Sequence, residues 1–254
     1  MTRDLPALRR RRVFDVPGGI CKKYPAELPP CLDYSCEKMY NEKYSISKKR
    51  ILYNMERNYP KATITEKGER ALRGGHPWVY ADEVTEVSGE YENGGLADVF
   101  SRKGRYLGTG YINDNSKIRI RVISRNANDR FDRDFYARRI RYALDYRRTV
   151  MGAEDFRCCR LIFGEADSFP GFTVDRFGDV LVAQVLSLGT ERVKDALYEL
   201  LVQTLADMGE HISAIYERND VKIRELEGME EYKGFWAGAG LRTCLLYTSP
   251  SPRD

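Results

Sequence analysis

Short hydrophobic segments, separated by turn residues, fill the stretch from residue 61 to residue 125. Aromatic or β-branched residues concentrate in five of these segments, which predicts strands at 61–65, 78–84, 95–101, 106–112 and 117–124. Residues 66–73 have the composition of a short helix, and Gly74 and Gly75 end it. Several short strands with one small helix predict a compact β-barrel.

The next hundred residues mix both periodicities. Apolar residues at helical spacing predict a long helix at 129–151 and a second at 190–208, the latter with Thr190 as N-cap and Gly209 at its end. Strands are predicted at 160–163, 172–175, 180–186 and 212–216. A hairpin turn at 178–179 is expected to join the second and third of these strands. The fold class expected for the chain is α+β, a small barrel followed by a second α+β domain.

Both ends of the chain lack such patterning. Residues 1–54 contain five prolines, three unpaired cysteines and a basic run at 9–12, which could be a nucleic-acid arm. A disordered or spurious leader at 1–58 explains them better, with Met55 as a candidate start.

Composition narrows the class of protein. With 42% apolar and 31% charged residues in 254 positions, the chain is normal for a soluble protein. No segment has the length or apolarity of a membrane span or a secretory signal, so a cytoplasmic location is expected. Six cysteines without C-x-x-C spacing and only two histidines, His76 and His211, predict reduced cysteines and no metal site.

Charge favours a nucleic-acid partner only locally. The net charge is +4, but the excess lies in residues 1–54, and the remainder is slightly negative. Lys67, Arg70 and Arg73 recur at three-residue spacing on the predicted helix, beside the Gly74-Gly75-His76 turn and the ring of Trp78. Cations beside an aromatic ring suit RNA, since phosphates bind Lys and Arg while bases stack on flat groups. The alternative is a solvated helix with Trp78 in the core. For Trp78 itself, the core position is the expected one.

A second basic group lies on the last predicted strand of the barrel. The alternation at 117–122 would point Ile118, Ile120 and Val122 inward and Lys117, Arg119 and Arg121 outward. A strand whose charged face is merely exposed to solvent would show the same alternation. The predicted RNA-binding residues are therefore Lys67, Arg70, Arg73, Gly74, Gly75, His76, Arg119, Arg121 and Arg125.

The stretch 164–179 concentrates acids among turn residues. Glu165 and Asp167 could form a carboxylate pair of a small-molecule hydrolase, or could cap turns and pair with Arg176. The structural use is the expected one. No Walker loop, G-x-G-x-x-G or H-E-x-x-H motif is present, and no catalytic residue is assigned.

Two long motifs carry a family resemblance. Residues 67–80 (KGERALRGGHPWVY), and residues 160–179 with RLIFGEAD followed by PGFTVDRFGD, resemble the bacterial ribosomal RNA large-subunit cytosine-C5 methyltransferases that begin with a PUA domain. Tyr216-Glu217-Arg218 and residues 224–228 also look like the end of that family's central domain. One departure is Ser168-Phe169, where the family more often has Gly-Leu.

The resemblance implies a domain order and a partner. It implies a PUA-like RNA-binding barrel at 59–127, a central α+β domain at 128–236, and ribosomal RNA as partner, with oligomeric state open. The family's Rossmann-like domain, S-adenosylmethionine site and catalytic cysteines would follow residue 236. Residues 237–254 instead resemble translated adapter sequence, so Cys244 is not interpreted as a nucleophile. The chain alone is expected to be inactive and to hold no cofactor. The alternative is a free-standing PUA-type RNA-binding protein.

Overall fold

The computed structural model describes residues 58–238. The predicted leader lies outside these residues except for residue 58, and the predicted tail except for residues 237–238. Four of the six cysteines also lie outside them: Cys21, Cys31, Cys36 and Cys244. Within them the α+β fold class is confirmed, with a PUA-like domain followed by further α+β structure.

The first sheet has six strands and a short helix. Its strands are β1 (Lys61–Ile64), β2 (Trp78–Tyr80), β3 (Val84–Ser88), β4 (Leu96–Ser101), β5 (Tyr106–Ile112) and β6 (Ile118–Ser124), in the order β2-β6-β5-β4-β1-β3. Only β1 and β4 pair in parallel. Strands β5 and β6 approach so closely that a Cβ at Gly110 would lie 2.3 Å from the carbonyl oxygen of Arg121.

Helix α1 (Glu66–Arg73) begins and ends as its sequence predicts. Thr65 accepts a hydrogen bond from the Gly68 amide at 3.3 Å and caps the N-terminus. Gly74 keeps a helical φ of −73°, and it is Gly75, at φ +102°, that takes the left-handed conformation. The chain therefore turns one residue later than the first glycine.

The second sheet has five strands and two long helices. Its elements are α2 (Arg133–Val150), β7 (Cys158–Phe163), β8 (Phe172–Phe177), β9 (Val180–Val185), α3 (Leu188–Asp207), β10 (Ala214–Asn219), α4 (Ile223–Leu226) and β11 (Tyr232–Ala237). The strand order is β11-β10-β9-β8-β7. Strands β9 and β10 are parallel and α3 connects them, while the other pairs are antiparallel.

Several element boundaries differ from the sequence prediction. Helix α2 begins at Arg133 rather than at residue 129, because Asp132 accepts a hydrogen bond from the Phe135 amide and serves as N-cap. Helix α3 begins two residues early, and Ser187 rather than Thr190 is its N-cap residue. The predicted strand 78–84 is interrupted by a 3-10 turn at Ala81–Glu83. Strands β3 and β11 were not predicted.

The two sheets share apolar packing. Ile64, Val79, Val99 and Ile120 belong to the buried core of the first sheet. The larger core lies between α2, α3 and the second sheet, and it includes Tyr111 and Ile123 from the first sheet. The side chains of the first sheet therefore continue into the core of the second.

Candidate RNA interface

The cations of α1 are exposed but partly neutralised. The Lys67 ammonium lies 3.5 Å from the buried Glu83 carboxylate and 3.8 Å from Asp82. Arg73 lies 3.6 Å from Glu69, one turn earlier. Both cations are themselves well exposed, and pairs of this length hold an exposed cation weakly, so a phosphate can compete for it. Arg70 is exposed as well.

The glycine turn after α1 has no backbone donors to spare. The amides of Gly74, Gly75 and His76 donate to Arg70, Leu72 and Ala71 at 2.9 to 3.1 Å. His76 is an exposed hydrogen-bonding residue, as its position in the turn predicts, and its Nδ1 accepts from the Trp78 amide at 3.1 Å. Phosphate contacts at this end of the first sheet must therefore come from side chains.

Three arginines line an open groove of about 260 Å³ beside this turn. We call it the first groove; its lining residues are Leu72, Arg73, Arg105, Tyr106, Leu107 and Arg125. Arg125 also donates to the carbonyl oxygen of His76 at 3.3 Å, which holds it against the turn. The groove combines cationic and aromatic groups at one place.

The sequence prediction missed Arg105 and Tyr106. They follow the Lys103-Gly104 turn, which brings the start of β5 beside the end of α1. The Tyr106 hydroxyl lies 2.7 Å from that of Thr109, and its ring packs edge-on against Phe100. A basic and an aromatic residue directly after a hairpin turn is the only sequence signal for them.

The prediction that Arg121 lies on an exposed basic face of β6 is wrong, because Arg121 is buried. Residues 120–124 are buried on both faces, because the outer face of β6 is covered by the second sheet's loops. The Arg121 guanidinium lies 2.7 Å from Glu227 and 3.4 Å from Glu165, with 9% of its side chain exposed. Arg119 is half-buried, 2.7 Å from Asp114. An arginine held between two carboxylates cannot meet a phosphate, so Arg121 leaves the candidate interface.

Trp78 is not the core residue expected. Its side chain is half-buried, its Nε1 donates to Glu165 at 2.9 Å, and the Arg121 guanidinium lies over its ring at 5.5 Å. His76 packs edge-on against the same ring. Trp78 therefore joins the first sheet to the turn at 164–167.

The two acids of the 164–179 stretch serve structure. Glu165 binds Trp78 and Arg121, while Asp167 forms a bidentate pair with Arg147 at 2.7 and 2.8 Å. Arg176, the expected partner, instead pairs with Glu210 at 2.6 Å. Each carboxylate therefore has a structural partner of its own. The hydrolase alternative needs both in one pocket, and the geometry does not provide that.

Other chemistry is sparse in this part of the chain. Between residues 58 and 238, no group of three or more His, Cys, Asp and Glu side chains could hold a metal ion. Cys158 and Cys159 are free thiols, and burial raises the pKa of Cys159. No helix among the described residues is long and apolar enough to cross a membrane.

Comparison with known proteins places these features in a family. The PUA-like domain family matches residues 62–125. The ribosomal RNA large subunit methyltransferase I of Aliivibrio fischeri strain MJ11 is 35% identical over 170 residues, 67% of this chain and 42% of the relative. The protein of the same name from Shewanella denitrificans is 37% identical over 171 residues, with the same coverage. This chain fits a PUA-containing ribosomal RNA methyltransferase family.

The resemblance of the two sequence motifs is thereby confirmed. A solved structure of a proposed SAM-dependent methyltransferase from Streptococcus mutans shares the fold, with a TM-score of 0.54 and 18% identity over 62% of this chain and 40% of that one. A second methyltransferase structure, complexed with SAH, has a TM-score of 0.52. The chain spans 42% of the length of the first relatives it matches.

Proposed function

We propose that residues 59–236 form the RNA-recognition and central portion of an S-adenosylmethionine-dependent 23S rRNA cytosine-C5 methyltransferase. In this proposal residues 59–127 are the RNA-binding barrel and residues 128–236 the central domain. The observation that carries the RNA contact is the first groove, where Arg73, Arg105 and Arg125 surround Tyr106. Ribosomal RNA as partner would place the protein in the cytoplasm.

The first groove offers what a single RNA strand needs. Guanidinium groups bind phosphate oxygens in a bidentate manner and stack on bases. Leu72, Leu107 and Tyr106 give the floor an apolar surface on which a base or ribose can rest. Because the backbone amides of the turn are already bonded, sequence-independent electrostatic contacts should dominate the affinity.

The first prediction concerns the salt dependence of RNA binding. Changing Arg73, Arg105 and Arg125 to Gln should flatten the log-log salt slope for a single-stranded RNA by about 2, since about 0.7 counterion is released per phosphate contact. Fluorescence anisotropy of labelled RNA at several salt concentrations measures the slope.

A matched control removes the same charge elsewhere. Arg157, Lys222 and Lys233 are exposed cations of the second sheet, and their change to Gln should leave the slope close to wild type. If both triple variants flatten the slope equally, net charge rather than the first groove controls RNA binding, and the proposal fails.

The first turn of α3 does not offer a site for S-adenosylmethionine. Parallel strands β9 and β10 with crossover helix α3 are the local arrangement that could bind such a cofactor, at the N-terminus of the helix. That N-terminus is covered, because a Cβ at Gly189 would lie 2.1 Å from the Tyr111 ring. The hydroxyls of Ser187 and Thr190 both donate to the carbonyl oxygen of Pro170. We therefore assign neither a cofactor contact nor a catalytic role to these residues.

The second prediction is that the purified chain does not bind S-adenosylmethionine. Isothermal titration calorimetry should show no saturable heat, while RNA binding by anisotropy remains. Saturable binding at micromolar concentration would contradict the proposal that these residues recognise RNA and do not hold the cofactor. Retained RNA binding without methyl transfer also fits the alternative, a free-standing PUA-type RNA-binding protein.

A further inference from the structure

A second groove lies on the central domain, between helix α2 and the turn at 164–168. Its volume is about 510 Å³, and its lining residues are Asp129, Phe135, Arg138, Arg139, Tyr142, Ala143, Ala166, Asp167 and Ser168. We call it the second groove. It contains two arginines and an exposed tyrosine, the same types of side chain as the first groove.

The aromatic side chains at this groove are unusually exposed. Tyr142 is 67% exposed and Tyr146, one turn later on the same flank of α2, is 59% exposed. Phe163, at the end of β7 next to the turn, is 54% exposed. The Arg147 guanidinium lies over the Tyr146 ring at 5.3 Å, and that of Arg160 lies over the Phe163 ring at 5.0 Å. Tyr142 is the ring that lines the groove and has no such contact among residues 58–238, and an exposed ring of this kind is typical of a binding surface.

The two arginines of the groove differ in their contacts, and both have N–H donors to spare. Arg139 lies over the Phe135 ring at 4.5 Å and donates one hydrogen bond, of 3.2 Å, to the Ser168 carbonyl oxygen, which leaves further N–H donors. Arg138 is exposed, and no ion pair to it occurs among residues 58–238. A guanidinium of this kind can bind a phosphate without first breaking a salt bridge.

The acids at the second groove are already engaged. Asp167 is in its bidentate pair with Arg147. Asp129 accepts hydrogen bonds from Ser124 at 2.5 Å and Asn126 at 3.1 Å, and it also lowers the positive potential near Arg139. Helix α2 carries six arginines against Asp134 and Asp145. Three of these arginines pair with acids of other elements, which leaves Arg138, Arg139 and Arg148 without an ion pair among residues 58–238. This charge favours an anionic ligand over an apolar protein surface.

The two grooves lie close together in the fold. Arg125 lines the first and Asp129 the second, and four residues of chain can separate their Cα atoms by at most about 14 Å. A strand that leaves one groove can therefore enter the other.

We propose that the second groove binds the continuation of the same single RNA strand, with a base stacked on Tyr142 and a phosphate bound by Arg138 and Arg139. This inference rests on the proposed RNA binding of the first groove. It adds an RNA contact on the central domain, so that the RNA strand would run from the first groove to the second.

The test uses the full 254-residue chain and a fluorescein-labelled oligouridylate of about 16 nucleotides. The double variant Arg138→Gln, Tyr142→Ala should bind about ten-fold more weakly, the loss expected for one stacked base and one phosphate. Both side chains are exposed, so far-UV circular dichroism should be unchanged. Tyr142→Phe keeps the ring and should bind like wild type.

The control is Arg148→Gln with Phe235→Ala. These are an exposed arginine on the other flank of α2 and an exposed ring on β11, and their loss should change affinity less than two-fold. An oligouridylate containing 4-thiouridine gives a direct readout, because ultraviolet crosslinking should place an adduct on tryptic peptide 142–147.

The outcomes separate the two proposals. No binding by wild type, or no effect of the first-groove variant, overturns the proposed function and this inference together. Normal binding by the second-groove variant, with no adduct on 142–147, overturns the inference alone. If Tyr142→Ala instead converts a dimer to a monomer in sedimentation without weakening RNA binding, the surface joins copies of the chain and the inference is wrong.

Discussion

Single arginines change their role with their surroundings in this protein. Arg105 and Arg121 both lie on strands or turns of the first sheet, yet Arg105 is exposed in a groove and Arg121 is buried between Glu165 and Glu227. Glu227 itself is 3% exposed and also binds Ser116 and Asn113. Removal of one member of such a buried network leaves an unpaired charge, which costs more than the pair contributes.

The prediction at this scale concerns Arg121. Arg121→Ala should lower the free energy of unfolding by about 3 kcal/mol, because Glu227 would stay buried without its cation. Urea denaturation followed by circular dichroism measures the change. Arg119→Ala removes a more exposed pair with Asp114 and should cost less than about 1 kcal/mol.

A double variant identifies the cause of the Arg121 effect. Arg121→Ala combined with Glu227→Ala should cost less than the sum of the two single changes, since neither charge is then left alone. Additive losses would mean that the two side chains stabilise the fold independently, and the ion pair would not explain the effect.

Ser168 illustrates strain at one backbone position. It has a φ of 62°, and among residues 58–238 it is the only non-glycine residue with positive φ. L-residues adopt this conformation at a cost of about 1 kcal/mol, which glycine avoids. A glycine at this position would therefore be unstrained. The carbonyl oxygen of Ser168, held by Arg139, keeps the turn in place here.

At the scale of elements, α3 joins the two sheets through its first turn. Gly189 packs on the ring of Tyr111, a residue of β5, and the Tyr111 hydroxyl lies 2.7 Å from that of Tyr136 on α2. Burial raises the pKa of Tyr136 to about 12 and also raises the pKa of Tyr111 well above its ordinary value, so both stay neutral at physiological pH. The contact depends on a glycine, because any side chain would fill the space of the ring.

Gly189→Ala should therefore destabilise the contact between α3 and β5. The new methyl group would overlap the Tyr111 ring and displace its hydroxyl from Tyr136, at a cost of about 1 to 3 kcal/mol. Differential scanning calorimetry would show a lower melting temperature. Gly234→Ala is the control, since a Cβ there has no neighbour within 4 Å. An equal effect of both changes would rule out the clash as its cause.

At the scale of the whole molecule, the described residues should unfold as one unit. Tyr111 and Ile123 of the first sheet lie in the core of the second, and Arg121, Trp78 and Glu165 add polar contacts at the same boundary. A shared core couples the two halves, since neither can lose its packing without exposing part of the other.

The two tryptophans allow a test of this coupling. Trp236→Phe leaves Trp78, at the boundary of the first sheet, as the only tryptophan, and Trp78→Phe leaves Trp236 on β11. In each variant the midpoint of urea unfolding from tryptophan fluorescence should equal the midpoint from far-UV circular dichroism. Separate midpoints would show that the halves unfold independently.

Local patterns predicted most elements but fewer site residues. Helix α1 and strand β5 were predicted with their observed bounds, because caps, glycines and alternation are local signals. Leu197, Leu200, Leu201 and Leu205 of α3 are buried, as their spacing predicts. Of the predicted RNA-binding residues, Arg73 and Arg125 line the first groove, and their role stays a prediction.

The sequence by itself determined the fold class, the order of the elements, the family motifs and the position of the glycine turn after α1. These follow from contacts between residues close in the chain. Only the tertiary structure decided which arginines are free, since Arg121 meets Glu227 across 106 positions. The same holds for Arg105 in the first groove and Arg138 in the second, because burial and charge pairing depend on residues that folding brings together from distant segments.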